Sequence, residues 1–177
     1  MADAADLPDI PRPSQLWKQL TVEKKRHAAD AFWHDENALN EQAEAVNLIA
    51  ERIKFRLKSV IAMPVEKKTQ YLLSMPAISE MLAARMLVAY HLQHQRGMMG
   101  AFLDALGIRH EEGIIAEEEV QPPTADALKQ AATTIASSYP AEDVSLYLST
   151  LVWQDFDTWG ALADLPETKP RETTHGS

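Results

Sequence analysis

Residues 81–92, MLAARMLVAYHL, decide the fold class of this chain. Their apolar side chains fall on nearly every side of a helix of about 3.6 residues per turn, so a helix here has no broad solvent face and must be surrounded by others. The run is too long and too poor in β-branched residues for a buried strand, which usually spans about four to eight residues. The spacing predicts a central helix that starts near Ala77 and reaches Arg96.

The sequence on either side repeats this helical character. Thr21 is a suitable N-cap for a helix through VEKKRHAADAFWHD, with Val22, Ala29, Phe32 and Trp33 near one face. A short helix around SQLWKQL precedes it. Val46, Ile49, Ile53, Leu57, Val60 and Ile61 recur at three- and four-residue steps and predict a second amphipathic helix of four turns or more. Within it, RIKFRLK (52–58) also alternates like a strand, but the longer helical period decides for helix. Pro64 opens VEKKTQYLLS, Thr124 caps a helix to Ala136, and Pro140 opens VSLYLSTLVW with Glu142 and Asp143 in its first turn, where carboxylates suit the helix dipole. A last short helix covers DTWGALADL.

Gly97 and Gly100 flank two methionines and are expected to break the central helix from a short one at 100–106. Gly107 then takes the left-handed position after that helix, with Ile108 folding back on Leu103. The stretch RHEEGIIAEEEVQPP reads as an acidic connection. Few glycines and few alternating β-branched runs complete an all-α reading: one irregular bundle of seven or eight helices over 14–165. The polar, proline-containing ends at 1–13 and 166–177 have the composition of disordered tails. TVEKK (21–25) and PVEKK (64–68), SMPA (74–77) and SYPA (138–141), and GAFLDAL (100–106) and GALADL (160–165) hint at three stacked helix pairs, a plan that favours a groove for another polypeptide.

Composition narrows the chemistry. The 177 residues include no cysteine, which removes thiol catalysis and Cys-ligated metal and fits a reducing compartment. No stretch has the length of a membrane span, and the start MADAADLPDIPRP has neither the basic nor the apolar part of a signal peptide. A soluble, cytoplasmic protein is expected. The net charge of −9 works against nucleic-acid binding, whose affinity rests on Lys and Arg.

The candidate site residues divide into three groups. His91 and His94, three apart on one helix, could reach a common metal ion with His110 adding a ligand from the acidic connection. Without HExxH or Glu-x-x-His, the plainer reading is preferred, with both rings at the wet end of a core helix. Arg85 falls on the apolar side of that helix and must find a carboxylate or hold an anion. Met98, Met99 and Trp159 are apolar residues left over for binding, in an exposed groove. The run Arg52, Lys54, Arg56 and Lys58 reads as a solvated face, or as a partner for nucleic acid or for Glu117–Glu119 of another copy.

No phosphate loop, GxSxG, kinase or dinucleotide fingerprint is present. The expectation is a non-enzymatic protein-interaction or adaptor module with a protein partner, no cofactor, and no catalytic residue. A small helical enzyme or ligand or metal sensor, built on Arg85 or on His91 and His94, is the alternative.

Overall fold

The computed structural model describes residues 7–169, and they are all-α apart from one two-residue hairpin. They group into two units. One comprises Arg12–His94; the other comprises the described parts of Met1–Pro11 and Gln95–Ser177.

In the first unit, α1 (Pro13–Gln19) and α2 (Val22–Trp33) precede α3 (Leu39–Ile53), α4 (Leu57–Ile61), α5 (Val65–Leu73) and α6 (Glu80–His94). Thr21 caps α2 as expected, its hydroxyl accepting from the Lys24 amide at 3.2 Å. Helix α6 packs on α1, α2 and α3, and α5 packs on α2 and α3. Phe32, Ile49, Leu72, Leu82, Met86 and Leu87 are fully buried between them. The N-termini of α1 and α6 are tied by the Glu80 carboxylate, which accepts from the Ser14 hydroxyl at 2.6 Å and the Ser14 amide at 2.9 Å.

The end of α2 is closed from a distance. Gln42, in the first turn of α3, donates through Nε2 to the carbonyls of Phe32 at 2.8 Å and Asp35 at 2.9 Å. A helix end leaves such carbonyls without intrahelical donors, and here a carboxamide adds to the local amide bonds from Asp35 to Phe32 and from Ala38 to Asp35.

Three details of this unit differ from the sequence reading. The long stripe from Val46 to Ile61 is two helices: Lys54 adopts φ 58° and the Phe55 amide bonds back to the Ala50 carbonyl, ending α3 in the manner usually served by glycine. Leu57 and Ile61 are thereby turned outward, and Val22, expected near the buried face of α2, is exposed. Helix α6 starts at Glu80 because Ser79 caps it through the Leu82 amide. It stops at His94, so the break precedes Gly97 rather than falling on it.

In the second unit, α7 (Arg96–Leu106) contains both Gly97 and Gly100. It ends as anticipated: Gly107 has φ 69°, and the Ile108 amide bonds to the Leu103 carbonyl at 3.0 Å. The acidic connection is not featureless, since β1 (His110–Glu111) and β2 (Ile114–Ile115) pair antiparallel and pack on α7. Glu112 and Gly113 both have positive φ, the signature of a type I′ turn. Helices α8 (Ala125–Ala136), α9 (Ala141–Gln154) and α10 (Phe156–Trp159) follow, with a 3₁₀ turn at Gly160–Asp164. Among the described residues the ten α-helices exceed the seven or eight expected, because the stripe at 46–61 splits and several helices are short.

The core of this unit lies between α7, α8 and α9, with Met98, Phe102, Leu128, Ile135, Leu148 and Leu162 buried. Phe102 stands edge-on to Tyr147 at 5.6 Å and tilts against Trp159 at 6.0 Å. Of the stretches read as tails, 1–6 and 170–177 lie outside the described residues. Ile10 and Thr168, which fall within the same stretches, are buried. The Trp153 indole donates to the Pro11 carbonyl at 2.8 Å, and the Ser145 hydroxyl donates to the Thr168 carbonyl at 2.7 Å.

Candidate interaction surface

The polar candidates on α6 are engaged by their own unit. Arg85 lies beside Glu41 of α3, Nε to Oε1 3.7 Å, with both side chains largely covered. This is the structural ion pair that an arginine on an apolar helix side requires. His91 is buried, not at the wet margin where the sequence placed it, and its Nδ1 is 2.7 Å from the Leu87 carbonyl. His94 does reach the margin, where its ring stacks on His27 of α2 at 4.9 Å and tilts against Tyr90.

Partial burial holds His94 below the ordinary imidazole value of 6.5; His27 acts in the same direction and Asp30 opposes it. The unfolded chain therefore takes up this proton more readily than the folded one. The stability associated with neutral His94 is complete above about pH 6.5 and is lost as the pH falls through the folded pKa. Urea midpoints measured from pH 7.5 down to about pH 5 should fall, and His94→Gln should flatten that slope. An unchanged slope in the variant would mean that another group carries the acid sensitivity.

His110 is occupied on both nitrogens. The Gly113 amide donates to Nδ1 at 3.0 Å, which leaves the proton on Nε2 to donate to Asp104 Oδ1 at 2.7 Å. His110 is thus the clasp that holds the hairpin to α7, and Gly100 is small because the His110 ring lies over it, 3.1 Å from where a Cβ would stand. Among the described residues, no three His, Asp or Glu side chains are gathered to hold a metal ion.

The apolar candidates are also accounted for. Met98, Met99 and Trp159 are all buried, so the exposed groove expected around them is filled core. Met99 meets the hairpin at Gly113, and Trp159 meets Phe102. The described residues of the second unit form open depressions, two of which are large. One, of about 430 Å³, is lined by Arg96, Glu111, Glu112, Ile114, Ile115 and Ala116; the other, of about 450 Å³, includes Pro122, Pro123 and Phe156 with Asp157 and Asp164. The first is lined by no hydroxyl; in the second, the Thr158 hydroxyl donates to Asp155 Oδ2 at 2.7 Å, at the start of α10.

The prominent surface feature adds exposed apolar residues to the basic run already noted in the sequence. Where α3 ends at Lys54 and α4 begins, every residue from 54 to 62 is exposed except Val60. Phe55 is 52% exposed, Leu57 45% and Ile61 58%. Lys54, Arg56 and Lys58 alternate with Phe55 and Leu57 along the chain and are exposed, as is Arg52 just before. Val60, fully buried, anchors α4 to the unit and leaves the rest of the corner turned outward. The signal lay in RIKFRLK, whose strand-like alternation competes with the helical period at the point where the helix stops.

Among the described residues, no helix is long and apolar enough to cross a membrane. No family model, curated protein or solved structure matches the chain.

Proposed function

We propose that this chain is a non-enzymatic protein-interaction module and that it docks its partner on the corner at residues 52–61. The observation that supports the reading is the coincidence, in one short segment, of three large exposed apolar side chains with four cations. Single exposed apolar residues are ordinary, but a contiguous group rimmed by charge marks a recognition surface. An aromatic ring and arginines are also residue types enriched at the centres of protein interfaces. The candidates for chemistry support the same reading: Arg85, His91 and His110 are engaged within their own units.

The test is native mass spectrometry on protein isolated gently from its own host, with Phe55→Ser/Leu57→Ser/Ile61→Ser compared alongside. The wild type should carry an added polypeptide, whether another protein or a second copy, and the variant should lose it with an unchanged helical spectrum. Wild-type protein recovered as the bare chain, or with only a small molecule, would overturn the proposal. So would a variant that retains its polypeptide.

A further inference from the structure

The corner at 52–61 combines two demands that one occupant must meet together. It needs apolar atoms to cover Phe55, Leu57 and Ile61, and it needs negative charge to face Arg52, Lys54, Arg56 and Lys58. A purely acidic polymer meets the second demand alone, and a neutral apolar groove meets only the first.

A surface with both properties is present on this chain. On the hairpin and the residues after it, Ile114 is exposed beside Glu111 and Glu112, and Glu118 and Glu119 are exposed a few residues further on. Two other carboxylate contacts are internal: Glu112 pairs with Arg96 at 2.6 Å and Glu117 lies 3.8 Å from Arg109. Glu111, Glu118 and Glu119 therefore supply the charge directed outward. The hairpin is also held in shape by the His110 clasp and by Gly113 seated on α7, so little ordering is required when it docks.

We infer that the corner of one copy receives the hairpin and following glutamates of a second copy, a self-association through two dissimilar surfaces. This rests on the reading of the corner as a docking surface and names its partner. Ile114 covers the apolar side chains, while Glu111, Glu118 and Glu119 face the cations. A contact between unlike patches can be used twice to close a two-fold pair, or be repeated head to tail as a ring or an open chain.

Sedimentation velocity on the full chain tests this across a range of concentrations and salt. The wild type should associate reversibly, more weakly as salt is raised. Lys54→Glu/Lys58→Glu should weaken association by roughly a hundredfold, and so should Glu118→Lys/Glu119→Lys, because each places like charges opposite one another. Mixing the two reversed chains should restore association, as should combining all four substitutions in one chain. All these positions are exposed, so an unchanged helical spectrum checks that each variant is folded.

A wild type that remains monomeric throughout would overturn the inference, as would mixed reversed chains that fail to associate. Phosphatidylserine vesicles supply the other arm. Wild-type protein that co-sediments with them, and loses this with Lys54→Glu/Lys58→Glu, would assign the corner to a membrane surface instead. If the wild type is monomeric yet carries a foreign polypeptide that the Phe55/Leu57/Ile61 variant loses, only the identity of the partner is wrong. If no polypeptide is carried at all, the interaction reading falls with it.

Discussion

Gly113→Ala should destabilise the second unit by about 3–5 kcal/mol, the sum of a backbone term and a packing term. Gly113 has φ 87°, where an L side chain is strained by about 1–3 kcal/mol. It is also buried against α7, so that an added Cβ would stand 2.7 Å from Met99 Cβ, 3.1 Å from the Arg96 carbonyl and 3.3 Å from the Gly100 amide. None of these is the flexible end of a side chain, and overpacking of this kind adds about 1–3 kcal/mol. The unit can limit the loss by releasing the hairpin, which would withdraw the Gly113 amide from His110. Urea denaturation together with the His110 ring resonances reads both effects. Gly107→Ala is the matched control: φ is 69° but no atom lies within 4 Å of the added Cβ, so only a backbone cost of about 1–2 kcal/mol remains. Equal losses in the two variants would show that packing of the hairpin on α7 contributes nothing.

Phe102→Ala should cost a similar amount, about 3–5 kcal/mol. The ring is fully buried and holds two aromatic contacts at once, to Tyr147 and Trp159. Its removal forfeits apolar burial, leaves a cavity, and ends two edge or tilted pairings worth about 0.5–1.5 kcal/mol each beyond their area. Against a typical domain stability of about 5–15 kcal/mol, such a loss leaves little margin. Phe55→Ala, by contrast, should change stability by no more than about 0.5 kcal/mol, since half of that ring already faces water. Thermal and urea unfolding of the two variants side by side would measure the difference. A Phe102→Ala loss below about 1 kcal/mol would mean that the surrounding helices collapse into the space.

The parts of the fold legible in the sequence were those fixed by local chemistry. Thr21 and Thr124 cap the helices that follow them through their hydroxyls, and Gly107 closes α7 in the left-handed region. The boundaries that escaped were set without such residues. Lys54 turns left-handed although it is neither glycine nor asparagine, and Gln95 interrupts the chain one residue before α7, which then runs through two glycines. Strands of two residues have no period to detect, and their turn is built on Glu-Gly rather than the more telling Asn-Gly.

The same contrast explains the candidate site. Arg85 on an apolar helix side correctly demanded a carboxylate, because the cost of burying a cation follows from the helical angle alone. Nothing local distinguishes a methionine that fills a core from one that faces a partner, and Met98 and Met99 proved to be the former. A stripe continued past Lys54 counts Leu57 and Ile61 as core and gives Phe55 no place in it. One backbone rotation at Lys54 converts the end of a buried stripe into a surface.

The carboxamide of Gln42 has a further consequence for how the first unit opens. A helix ended by glycine carries its own terminal bonds and can unwind from that end alone. The end of α2 has local bonds, among them the Asp35 amide to the Phe32 carbonyl at 3.2 Å, and adds a donor from the first turn of α3, across an intervening connection. Fraying of either terminus therefore removes the Gln42 bonds that join it to the other, so the two should exchange their amide hydrogens as one cooperative segment and not as two independent ends.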